Sequence, residues 1–165
     1  MSAISVRDLS FRYYRSSAWQ LQGVNLEVEA GEFVAIWGDA KTTLCMCLCG
    51  VIPHLISGKM DGEVKVKGYD TRTTPIRDIA THVGVVLQDP ENQLFNLTVE
   101  GDVAFGPENL RVPRSEMLQR IDRVLQLVRM EAFRHRASSE LSGGQKQRVS
   151  IAAVLAMEPS ILIPG

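Results

Sequence analysis

Two runs near the N-terminus, residues 3–13 and 21–30, alternate apolar and polar positions, with Val24, Leu26 and Val28 on one parity of the second. A period of two predicts half-buried strands. Gly31 then turns the chain into Phe33-Val34-Ala35-Ile36-Trp37, an unbroken apolar run that predicts a strand buried on both faces. Residues 52–68 read as a loop followed by a strand that ends in a turn. Residues 75–81 read as a short helix, and 83–87 as a second buried strand. The clearest helical period lies over 113–130, where Met117, Ile121, Val124 and Val128 recur every three or four residues with Leu118 and Leu125 beside them. Arg114, Arg120, Arg123 and Arg129 fall on what that period leaves as a solvated face. A further buried helix is predicted by Val149, Ile151, Ala152, Val154 and Leu155. Pro159 breaks it, and Ser160-Ile161-Leu162-Ile163 starts another strand.

At 165 residues and 45% hydrophobic content the chain is long enough for one domain with a real core. Its net charge is −1 and its basic residues are scattered, which argues against a nucleic-acid footprint. No run approaches the roughly 20 apolar residues that span a bilayer, and the N-terminus lacks a signal-peptide pattern. The expectation is a soluble cytoplasmic protein. Cys45, Cys47 and Cys49 alternate along one short segment. On a helix Cys45 and Cys49 share a face while Cys47 points elsewhere, so free buried thiols are expected rather than a metal site. His54, His82 and His135 show no spacing that suggests a site.

Candidate chemistry concentrates in three segments. Residues 141–148 read Leu-Ser-Gly-Gly-Gln-Lys-Gln-Arg. Ser142 and Gln145, three apart, fit a capping box, and Gly143 and Gly144 leave bare N–H groups at the positive end of a helix dipole, an anion site. Residues 38–44 read Gly-Asp-Ala-Lys-Thr-Thr-Leu, between the apolar run and a predicted helix. Strand, glycine turn, Lys-Thr and helix form the context of a phosphate-binding P-loop, in which Lys41 would reach the β- and γ-phosphates, Thr42 would hold Mg2+ and Thr43 would support the α-phosphate. That pattern places five residues between Gly38 and the lysine, whereas only Asp39 and Ala40 stand there. At about 3.3–3.6 Å per residue the loop is roughly 10 Å short of wrapping a phosphate. The second glycine of the pattern is missing too, and inserting Gly-x-Gly after Ala40 would restore it. The third segment, 88–95, is a polar, proline-containing loop after an apolar strand.

The octapeptide at 141–148 resembles the signature motif of ABC-type ATPases, whose signature in one subunit closes over the γ-phosphate of ATP held by its partner. The resemblance extends, in order, over Tyr13, Lys41-Thr42-Thr43, Gln88 and Ser142-Gly143-Gly144-Gln145. It implies that Tyr13 stacks on adenine, that Gly38, Lys41, Thr42 and Thr43 hold ATP, and that Gln88 contacts Mg2+ and the attacking water. The run Asn92-Gln93-Leu94-Phe95, with Asp102-Val-Ala-Phe-Gly-Pro-Glu-Asn109, closely resembles the ATPases of energy-coupling-factor and cobalt/nickel-type importers. The fold so implied is a mixed α/β P-loop core of ABC type with an antiparallel β subdomain and a helical subdomain at about 89–140, as one partial domain over 1–165, truncated at the C-terminus. The implied function is the ATP-binding subunit of such an importer. It would be peripheral on the inner face of the cell membrane, with a second ATP-binding subunit, like or unlike, and transmembrane subunits as partners. After residue 163 the family would place an Asp for Mg2+, a Glu that polarises water and a later histidine, and this sequence reads Pro164-Gly165. With the short loop, this predicts negligible ATP hydrolysis by the 165-residue chain. Two other readings are a non-catalytic remnant that docks through its helical face, and an ABC ATPase acting on DNA. The latter is opposed by the absence of a long heptad run between Lys41 and Ser142 and of a basic stripe.

Overall fold

A computed structural model describes residues 2–164. The chain divides into two compact units, the first running to Val83 and the second beginning at Gly84.

In the first unit the predicted strands form as β1, Ser2–Tyr13, and β2, Leu21–Glu29. Helix α1, Lys41–Leu48, is followed by the short turn α2, Val51–His54, and by β3, Gly58–Val66. The short β4, Tyr69–Asp70, and α3, Ile76–Ile79, close the unit. The strands make one antiparallel sheet in the order β2-β1-β3-β4.

The alternation along β1 changes parity partway. Ile4 and Val6 are buried on the even positions, Leu9 and Phe11 on the odd ones. The switch is a bulge: β1 gains one residue on both neighbours, between Val6 and Leu9 against β2 and between Arg7 and Ser10 against β3. Asp8 sits there at φ 48°, and its N–H donates to Asn25 Oδ1 at 3.0 Å. Opposite it on β3, Gly62 has φ 87°, and a Cβ at that position would lie 2.4 Å from the Asp8 carbonyl oxygen and 2.5 Å from that of Arg7. Only glycine fits so close to two backbone oxygens. Past the bulge, Phe11 and Tyr13 share the core face, their rings edge to face with centroids 5.0 Å apart.

The strand expected over Phe33 to Trp37 does not form. This stretch joins no ladder among the described residues, and Phe33 and Trp37 are 95% and 100% exposed. A strand buried on both faces needs a hydrogen-bonded neighbour and a packed layer on each side. The antiparallel sheet of this unit supplies neither.

The second unit holds β5, Val83–Val86, which starts on the last residue of the first, paired with β6, Ile161–Pro164. Between them come α4, Val99–Asn109; α5, Arg114–Leu127; and α6, Gly143–Leu155. The helices bury one cluster built from Val99, Val103, Met117, Ile121, Leu125 and Val149 with their neighbours. Thr98 caps α4 by accepting from the Gly101 N–H at 3.2 Å. The face predicted for α5 is the one that is buried, with one correction among its arginines. Arg120 is not solvated, because its side chain reaches back to Glu116 at 2.5 Å, Glu158 at 3.0 Å and the Ala156 carbonyl at 3.3 Å, leaving it 15% exposed. Among the described residues no helix is long and apolar enough to cross a membrane.

Candidate functional site

In the first unit, helix α1 starts without a side-chain cap. Its N-cap, Ala40, lies in the left-handed region at φ 58°, and its first turn contains no carboxylate. The leading N–H groups therefore point out of an uncapped, uncompensated helix end, which favours an anion. Gly38, at φ 121°, is open on its side-chain face. Lys41 and Thr42 are exposed. The Lys41 ammonium donates to the Gly38 carbonyl, folding back across its own short turn. Thr43 is buried, and its hydroxyl lies 3.2 Å from the Tyr13 hydroxyl. The structure thus brings Gly38 to Lys41 and Tyr13 to Thr43. The parity change in β1 makes the second pairing possible, because without the extra residue Tyr13 would face away with Arg7.

Cysteines 45 and 47 lie on α1, with Cys49 as its C-cap, and all three are free. Burial pushes the Cys47 thiol up to about 12 and raises the other two from the ordinary value. No group of three or more His, Cys, Asp or Glu side chains among the described residues could hold a metal ion.

In the second unit the capping box forms as read. Ser142 Oγ accepts from the Gln145 N–H at 3.4 Å, and Gln145 Oε1 accepts from the Ser142 N–H at 2.9 Å. Gly143 and Gly144 are exposed, with nothing within 4 Å of either side-chain position. Gln88 is exposed directly after β5 and Leu87. Its loop is folded by Asp89, which accepts from the Glu91 N–H at 3.1 Å and the Asn92 amide at 3.0 Å.

Several residues inside the same runs, to which no role was given by the sequence, position these segments. Gln93 accepts from the Leu87 N–H at 3.0 Å and donates to the Ser150 carbonyl on α6 at 3.5 Å. Lys146 on α6 pairs with Glu91 at 2.5 Å, and that hydrogen bond holds the Glu91 carboxyl below its usual range. Asp102 is buried on α4 and accepts bonds from residues 95, 96 and 138. A signal for Asp102 existed in the sequence: an acid set among Val99, Val103 and Ala104 on the face that α4 buries.

Chemically, the start of α1 fits a phosphate but does not enclose one. Three residues that would wrap it are missing, and the one ammonium present is engaged with its own loop. Thr42, in the first unit, and Gln88, in the second, each offer only neutral oxygens.

A family model described as "ABC transporter" matches residues 21–164. An ABC transporter ATP-binding protein of Pyrococcus horikoshii is 46% identical over 99% of this chain and 58% of its own length. One from Caldanaerobacter subterraneus is 48% identical over 96% of this chain and 29% of its own. Among solved structures, cbiO1 of Clostridium perfringens, part of the ABC transporter complex cbiONQ, superposes with a TM-score of 0.85 at 32% identity. That match covers 99% of this chain and 64% of cbiO1. An ATP-binding subunit of an ABC transporter superposes at 0.82 with 23% identity, a likeness of fold alone. The chain spans less than two thirds of the length of each of these relatives.

Proposed function

The chain belongs to the ABC transporter family, and we propose that it is the ATP-binding subunit of a membrane importer of the energy-coupling type. Its mixed α/β fold, an antiparallel sheet with a helical unit, is that of ABC ATPases. The observation that carries the reading is the start of α6, where a complete capping box holds two open glycines in front of a helix dipole. The likeness to cbiO1 and the Asn92-Gln93-Leu94-Phe95 run support the importer class.

In this reading Gly38, Lys41, Thr42 and Thr43 hold the phosphates of ATP, and Tyr13 packs on the base. Thr42 and Gln88 face Mg2+, which supplies charge neutralisation when bound with nucleotide. Gly143 and Gly144, framed by the Ser142–Gln145 capping box, present free N–H donors to nucleotide held by a second ATP-binding subunit. Transmembrane subunits complete the transporter, with this chain on the cytoplasmic face of the membrane. Lys41 must leave the Gly38 carbonyl to serve a phosphate, and its turn is too short to surround one. We therefore infer that the 165-residue chain turns over ATP negligibly.

Nucleotide titration with sedimentation of the purified chain tests both statements. ATP is expected to bind through Lys41, and, if the second subunit is a like one, to promote self-association that Ser142→Arg abolishes. Affinity should rise when Gly-Ser-Gly is inserted after Ala40. If neither the chain nor the insertion variant binds ATP, the subunit reading fails in favour of a docking remnant. Steady turnover that disappears in Lys41→Ala would overturn the hydrolysis deficiency.

A further inference from the structure

We propose that Asp102 is a positioning residue that ties the loop following Gln88 to the segment leading into Ser142, so that the two shift together. The proposal rests on the reading of those two segments as nucleotide-facing.

Asp102 is 5% exposed and, among the described residues, has no cationic partner in its hydrogen-bond shell. A buried carboxylate is costly unless donors replace its water. Four do so, from two separate stretches of chain. Asp102 Oδ1 accepts from the Phe95 N–H at 3.0 Å, the Asn96 N–H at 2.9 Å and the Asn96 side-chain amide at 3.2 Å. Asp102 Oδ2 accepts from the Ser138 hydroxyl at 2.5 Å. Ser138 is as buried as Asp102 and lies four residues before the Ser142 cap, with Leu141 anchored in the helical core between them. One end of the carboxylate therefore holds the far end of the loop, and the other holds the approach to α6.

The near end of the same loop is tied to α6 by Gln93 and by the Glu91–Lys146 pair. The loop is thus fastened at its near end to α6 and at its far end, through Asp102, to the approach to α6. Of these fastenings only Asp102 is buried, so solvent competes least with it. Because its two oxygens serve different stretches, losing the donor on one must loosen the stretch on the other. That coupling is reciprocal.

Hydrogen exchange on the full chain without nucleotide tests this. Ser138→Ala is expected to speed exchange at the Phe95 and Asn96 amides, which Ser138 does not touch, about tenfold or more. Asp102→Ala should do the same at residues 138–142. Ser138→Thr, which keeps the hydroxyl, should restore slow exchange at Phe95 and Asn96. The proposal is overturned if these amides are unchanged in Ser138→Ala, if threonine rescues no better than alanine, or if α5 speeds up equally and the effect is global. Because no nucleotide is present, failure to bind ATP would sink the functional reading while leaving this measurement intact.

Discussion

Gly62→Ala is the sharpest test of how the fold sets the site, because Gly31 provides a matched control at the same φ of 87°. At Gly31 a Cβ meets nothing within 4 Å, whereas at Gly62 it meets two backbone oxygens at 2.4 and 2.5 Å. Alanine in the left-handed region costs about 1–2 kcal/mol, and loss of glycine's freedom in the unfolded chain returns about 0.4–1 kcal/mol. Gly31→Ala should therefore cost at most about 1.6 kcal/mol by those two terms. Gly62→Ala adds overpacking of about 1–3 kcal/mol, with no flexible side chain to give way. At a urea slope of about 2 kcal/mol per M, the two midpoints should differ by about 0.5–1.5 M. The bulge that Gly62 accommodates also turns Tyr13 toward Thr43. Ring resonances of labelled tyrosine should therefore shift at Tyr13 in Gly62→Ala and stay in place in Gly31→Ala. Coincident midpoints, or an unmoved Tyr13, would refute the account of the bulge.

Ser142→Ala should cost about 1 kcal/mol of stability in urea unfolding through loss of the cap, and Ser142→Asp should retain most of it; equal losses would argue that the capping box is idle. Cys47 should label with iodoacetamide more slowly than Cys45 or Cys49 at pH 8, because burial raises its thiol the most; mass spectrometry reads the order, and preferential labelling of Cys47 would contradict its burial. Hydrogen bonding from Arg134 holds the Glu100 carboxyl below its ordinary 4.5. A depressed folded-state value means that the stabilisation is fully present above about pH 4.5 and fades as the pH falls through the folded value. Acid unfolding should thus be less steep in Arg134→Met below that pH, and identical profiles would dismiss the pair as a contributor.

The elements whose signals are local were legible in the chain. The start of α6 is written in Ser142 and Gln145 because a capping box is satisfied within four residues. The buried face of α5 follows from its period alone, and so do the first two strands. The order of short motifs likewise sufficed to point to the family.

What the sequence could not determine depends on partners distant along the chain. Whether residues 33–37 become a strand depends on a neighbouring ladder, and here none forms. The parity of β1 after Asp8, and with it the direction of Tyr13, is decided by Gly62 more than 50 positions away. Arg120 looks solvated by period and is held by Glu158 instead. Asp102 acquires its donors only when residues 95, 96 and 138 fold around it. Caps and periods are read from neighbours in sequence, so the chain alone determines them. Burial of a charge and pairing of an edge need groups from elsewhere, and only the tertiary structure supplies those.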